Sequence, residues 1–249
     1  MIRANCRDRF TEDDFAFIVN SLATTESKRV ALADLLSDQE SRDQVLDDET
    51  LFARLVDSSV FKQISSRLYF YVLTRRAFVE ADIDDRDMTD YVASMLAEFC
   101  NSKSVHSVQE SDEQKQYHYL VDLLSDAFAS SSVEAFFLRS HLANYALFMT
   151  GVFPDLIYRR ATYGRKAPGF EYYEQMGKSS YQWASQHRLA LEYRLVEVMA
   201  NLSMRFRHVR VALNNLADKY FNLDHRSDRL DKMLRQIFFG NHNSNNFEA

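Results

Sequence analysis

The stretch Gly151-Val-Phe-Pro154-Asp-Leu-Ile-Tyr158-Arg-Arg-Ala-Thr-Tyr163-Gly164-Arg-Lys-Ala-Pro168-Gly169-Phe-Glu-Tyr-Tyr-Glu-Gln-Met-Gly177 holds six of the chain's seven glycine and proline residues. Toward the N terminus, 150 residues pass without either type, where average usage would place roughly eighteen. A backbone without positive-φ specialists builds few tight hairpins, but it builds helices joined by polar corners. The expected fold class is therefore all-α. A single multi-helix bundle is expected over residues 1–240, with one long C-terminal helix, an irregular break near 151–178, a weak sub-boundary at 101–111 and a disordered tail at 241–249.

Corners in the first half are clusters of Ser, Thr, Asp and Asn, which suit helix N-caps. Thr11 is expected to cap a helix through about Leu22, and Thr24 or Thr25 one ending near Ser37. Ser37 with Glu40, Ser111 with Gln114 and Ser131 with Glu134 have capping-box spacing. The last two predict helices over about 112–129 and 132–150, the latter stopped by Gly151. A helix over about 59–80 has an apolar centre, Leu68-Tyr-Phe-Tyr-Val-Leu73, and reads as the buried middle of the bundle. Past the break, Phe170 to Met176 predicts a short helix, and Gly177 either ends it or lets a neighbour approach. A final helix is expected over 227–239.

One rod is expected from Ser179 to Phe221, laid across the central core. It carries Leu195, Met199, Leu202, Phe206, Val209, Leu213, Leu216 and Tyr220, spaced alternately four and three. That is a heptad seam of about 39 Å at 1.5 Å per residue. Fewer than four heptads favours a seam inside one bundle, and the same residues are the candidate interface for a second copy or another protein.

A chain of 249 residues with 46% apolar and 13% aromatic side chains has ample material for a core, so disorder is excluded as its main state. Cys6 and Cys100 have neither metal nor disulfide spacing and read as idle reduced thiols. The N terminus has no apolar run after its charges, and the longest greasy stretch, Leu142 to Phe153, is too short for a membrane span. The expected location is the cytoplasm. Net charge is −6, yet residues 1–130 carry 14 basic and 25 acidic side chains while residues 131–249 carry 16 and 11. Opposite halves can attract within the fold or between copies, and the basic excess is too small to argue for nucleic acid. Arg188, Arg205, Arg207 and Arg210 are the only helical arginines considered for such a partner.

Two constellations carry chemistry. In the break, Arg159, Arg160, Arg165 and Lys166 surround Tyr163 and Gly164, an arrangement able to hold a flat or anionic ligand by stacking and charge-assisted bonds. On the 132–150 helix, His141 and Asn144 share a face with Phe137 and Phe148 and must find polar partners. His141, Asn144, Tyr145, Tyr158, Arg159, Arg160, Tyr163, Arg165 and Lys166 form the candidate ligand site. The competing reading is a satisfied core pair beside a solvated loop.

His118 with Asp122, Glu134, Glu171, Glu174 and His187 are scattered oxygen and nitrogen donors. The chain has no Glu-x-x-His, no His-Glu-x-x-His and no paired cysteines, so no metal or cofactor is expected. The acidic corner Asp82, Asp84, Asp85, Asp87, Asp90 reads as an interhelical corner with Asp caps. With no catalytic spacing found, the expectation is a non-enzymatic helical interaction or scaffold protein, self-associating or binding a partner through the 179–221 helix and the break. The alternative is an enzyme or small-ligand binder with a pocket between the 132–150 helix and the break.

Overall fold

The computed structural model describes residues 1–56, 64–99, 107–109, 114–116, 120–155, 157–158 and 169–220. These are helical apart from two three-residue strands and the connecting turns. The chain divides into two compact units, Ala4–Ala97 and Met1–Arg3 with Glu98 onward.

The first unit contains α1 (Glu12–Leu22), α2 (Glu26–Ser37), α3 (Gln39–Leu46), α4 (Glu49–Val56), α5 (Ser66–Glu80) and most of α6 (Arg86–Phe99). Asp14, fully buried, ties two helix starts together. Its carboxylate accepts from Thr11 N at 2.8 Å, which closes the α1 capping box, and from Ser65 N and Ser65 Oγ at 2.7 Å each. Ser65 in turn accepts from Leu68 N and caps α5. That helix therefore starts at Ser66 rather than the expected Ser59, and residues 57–63 lie outside the described set. Every residue from Leu68 to Arg75 is buried, as the all-round apolar pattern required. Thr25 caps α2, but the cap of α3 is Asp38, which accepts from Ser41 N at 2.8 Å and displaces the expected Ser37–Glu40 box.

The acidic corner is built of caps and ion pairs. Asp85 accepts from Met88 N at 2.8 Å at the start of α6. Asp84 holds Arg75 at 2.8 Å, while Asp87 and the buried Asp90 hold Arg7 at 3.5 and 3.3 Å. Arg7 also donates to both oxygens of Asp43, at 2.8 and 2.7 Å. Asp82, with φ of 56°, ends α5 in a Schellman motif: Ile83 N donates to Phe78 O and Asp82 N to Val79 O. Aspartate thus takes the left-handed position that glycine usually fills.

The second unit is built on α8 (Ser132–Val152), which packs against α7 (Leu120–Ala129), α9 (Phe170–Ser185) and α12 (Phe206–Tyr220). Between them run α10 (Arg188–Glu192) and α11 (Val196–Met204), the latter against α9. The Ser131–Glu134 box starts α8 as expected. Strands β1 (Ser107–Gln109) and β2 (Gln114–Gln116) pair antiparallel, Val108 opposite Lys115. The fold class is all-helical apart from this short hairpin, which corrects the helix expected from 112. The segment 107–116 has no i, i+4 apolar repeat to hold a helix, and α7 begins where that repeat begins, at Leu120.

Three further expectations are corrected. Gly151 does not stop α8: it lies inside it, and a Cβ there would meet Leu213 at 2.9 Å, so the glycine admits α12. The helix expected over 170–176 runs on to Ser185, so Gly177 does not end it and takes its other expected role, the close approach of a neighbour. It lies within α9, where a Cβ would meet the Phe206 ring at 2.4 Å and Ala146 at 3.1 Å. The single 179–221 rod is broken. After α9, His187 caps α10 through its side chain. Arg194, with φ of 56°, ends α10 in a second Schellman motif (Leu195 N to Ala190 O, Arg194 N to Leu191 O), and Arg205 separates α11 from α12. Cys100, the helix expected at 227–239 and the tail at 241–249 lie outside the described residues.

Candidate functional site

Four of the nine expected ligand residues are among those described. Asn144 is buried and its Oδ1 accepts from Tyr181 O–H at 2.7 Å. Tyr145 is buried, His141 is half-buried with its ring edge-on to Phe99, and Tyr158 stands in solvent. Arg159, Arg160, Tyr163, Arg165 and Lys166 lie outside the described residues.

The heptad seam is interior to its own unit. Leu195, Met199, Leu202, Phe206, Val209, Leu213 and Leu216 are all buried, and only Tyr220 is half-exposed. Through α11 and α12 these residues meet α8 and α9, so the seam is already filled by the chain's own helices.

Among the other singled-out groups, Glu174 binds Lys178 at 2.9 Å and Arg210 at 3.5 Å, which removes Arg210 from an arginine stripe with the exposed Arg188, Arg205 and Arg207. Among the described residues no three His, Cys, Asp or Glu side chains gather in a way that could hold a metal ion. His118 and the side chain of Asp122 are outside the described set. Cys6 is fully buried, its S–H donates to Arg67 O at 3.4 Å, and burial pushes its thiol well above the usual range, which makes it unreactive.

A different constellation emerges at the end of the second unit where α8 begins. Six side chains, from α7, α8, α9 and the two caps of α10, form with Arg3 a continuous column of rings and guanidinium groups. Arg139 on α8 lies over the Phe128 ring at 4.8 Å and the Trp183 ring at 4.9 Å. Trp183 stacks on His187 at 5.4 Å, and His187 stacks on Phe136 at 5.0 Å. Phe136 meets Tyr193 at 6.2 Å, and the Arg3 guanidinium covers Tyr193 at 4.8 Å. Helical spacing produces the column: Phe136 and Arg139 share a face of α8, and Trp183 and His187 are one turn apart.

Two hydrogen bonds lock its centre. His187 Nδ1 accepts from Leu189 N at 3.2 Å, so the ring proton sits on Nε2, which donates to Ser132 Oγ at 2.8 Å. The imidazole thus joins the start of α8 to the start of α10.

At the Phe128 end the column has an electrostatic imbalance. Arg139 is buried, 9% exposed, and its Nε has no hydrogen-bond partner. No carboxylate lies within ion-pair distance of it among the described residues, and burial alone pushes its guanidinium below the ordinary arginine value. Phe128 above it is 71% exposed, and Leu191 on α10 is 73% exposed. Sequence reading missed this site because its members lie on separate helices. The one available signal was the chain's single tryptophan, placed four residues before His187.

Comparison with known protein families, curated proteins and solved structures finds no match to this chain. Among the described residues no helix is long and apolar enough to cross a membrane.

Proposed function

We propose that this is a non-enzymatic helical interaction protein that associates with a second copy of itself through the end of the second unit that carries the ring column. The observation that supports the reading is the exposure of two large apolar side chains of this unit, Phe128 at 71%, at the Arg139 end of a stack locked by His187, and Leu191 at 73%, two residues before Tyr193 of the column. Val133, at the start of α8, is 40% exposed and adds to the same end. Exposed apolar side chains in a unit that also exposes Arg3 and Arg188 have the make-up of a recognition surface. Charge selects the occupant: residues 131–249 are net positive and residues 1–130 carry 25 acidic side chains, so the acidic part of a second copy is the complementary partner. The buried seam replaces nothing in this reading, since its residues serve the unit's own core.

The test is light scattering across protein concentration and salt. Mass should rise with concentration at low salt and fall back as salt screens the attraction. Phe128→Ser with Leu191→Ser should remain monomeric throughout. A wild-type chain that stays monomeric at every concentration at low salt would remove the reading.

A further inference from the structure

We infer that Arg139 is the binding site for a carboxylate carried by a small molecule with an apolar body. The chain pairs its other deeply buried arginines with acids: Arg7 with Asp43, Asp87 and Asp90, and Arg75 with Asp47 and Asp84. Arg139 is buried to a similar degree, yet it has rings where those have carboxylates. A buried guanidinium without a counter-charge is unfavourable in the free protein and becomes favourable when an anion arrives.

The geometry defines the anion. The Phe128 and Trp183 rings lie 4.8 and 4.9 Å from the guanidinium carbon, and its buried Nε–H is unpaired. In-plane donors side by side match a planar, two-pronged carboxylate. Phe128, largely in water, supplies an apolar wall next to the charge, so an alkyl or aryl monocarboxylate gains contact that acetate lacks.

The same carboxylate chemistry could reach Arg139 from a free molecule or from an acidic side chain of a second copy, and the experiment separates them. Trp183 is the chain's one tryptophan and lies against Arg139, so its fluorescence reports occupancy. Hexanoate, acetate, sulfate and chloride are titrated at matched ionic strength, at a protein concentration where light scattering gives a monomer. Hexanoate should change Trp183 emission saturably, acetate about tenfold more weakly, and sulfate and chloride, which lack the apolar body, also more weakly than hexanoate. Arg139→Gln should weaken hexanoate by about tenfold or more. Phe128→Ala, at an exposed position that leaves the fold intact, should weaken hexanoate toward the acetate value. The inference is overturned if wild-type hexanoate and chloride titrations coincide, or if either variant binds hexanoate like wild type. Should Arg139→Gln fail to fold by circular dichroism, the Phe128→Ala titration alone decides. Because the titration is done on the monomer, its outcome is independent of self-association. Hexanoate that dissociates the low-salt oligomer without titrating the monomer would assign Arg139 to the second copy and reject the free ligand.

Discussion

Arg7 and Arg139 are both nearly inaccessible to water and have opposite surroundings. Arg7 meets three carboxylates, and Arg139 meets two aromatic rings. Removing Arg7 strands Asp90, whose carboxyl burial already pushes above its ordinary value against the pull of Arg7. Arg7→Met is therefore expected to cost about 3–5 kcal/mol, the penalty for breaking a buried ion-pair set from one side. Arg139→Met strands nothing. Its lost cation–π attraction, about 1–2 kcal/mol, is opposed by relief of an uncompensated buried charge, so the net change should lie within about 1 kcal/mol of zero. Urea unfolding of the two variants checks the contrast. An Arg139→Met loss as large as that of Arg7→Met would make both arginines structural. Neither role could be read from sequence, because the difference lies in which side chains of distant segments face each guanidinium.

At the scale of elements, local chemistry was legible and backbone exceptions were not. The capping boxes at Thr11–Asp14 and Ser131–Glu134 involve residues three apart, so the sequence alone contains both partners. The seam from Leu195 to Leu216 was also legible as an apolar stripe, and the structure buries it whole. What failed was its continuity: an arginine at φ 56° gives no compositional sign of a helix end, and the backbone bonds from Leu195 N to Ala190 O and from Arg194 N to Leu191 O close the helix there. One glycine misled in the opposite direction. Gly151 read as a terminator, whereas Gly177 read as either a terminator or a point of close approach; both serve through the missing Cβ, which lets α12 approach. Exchanges at these positions should therefore have opposite signs. Arg194→Gly relieves a left-handed non-glycine residue and should stabilise by up to about 1 kcal/mol. Gly177→Ala gains about 1 kcal/mol of helix propensity but places a methyl 2.4 Å from the Phe206 ring, and overpacking should prevail, for a net loss of about 1–3 kcal/mol. Thermal unfolding of the two variants reads the signs directly. Phe206→Leu should recover part of the Gly177→Ala loss.

Across the whole molecule, charge and chain order set the behaviour. Of the acidic corner, Asp84 is held below the usual carboxylate range by Arg75, through a hydrogen bond and charge attraction. A depressed folded value means its stabilising contribution is full above the unfolded carboxylate value of about 4 and is lost as pH falls through the lower folded one. Asp90 has the opposite sign: raised by burial, it takes up a proton more readily folded than unfolded, and so it offsets part of the acid loss at mildly acid pH. Asp84→Asn should therefore flatten the fall in urea midpoint below about pH 4, by a small amount because the side chain is 85% exposed. An unchanged acid limb would show that the Arg75 pair contributes nothing to it. A last consequence concerns biosynthesis. Asn214 donates from Nδ2 to the carbonyls of both Thr150 and Gly151, at 2.8 and 2.7 Å, and so closes the end of α8 from more than sixty residues downstream. On a ribosome the carboxyl end of that helix must wait, frayed and open to chaperones or proteases, until the polypeptide carrying Asn214 has left the exit tunnel.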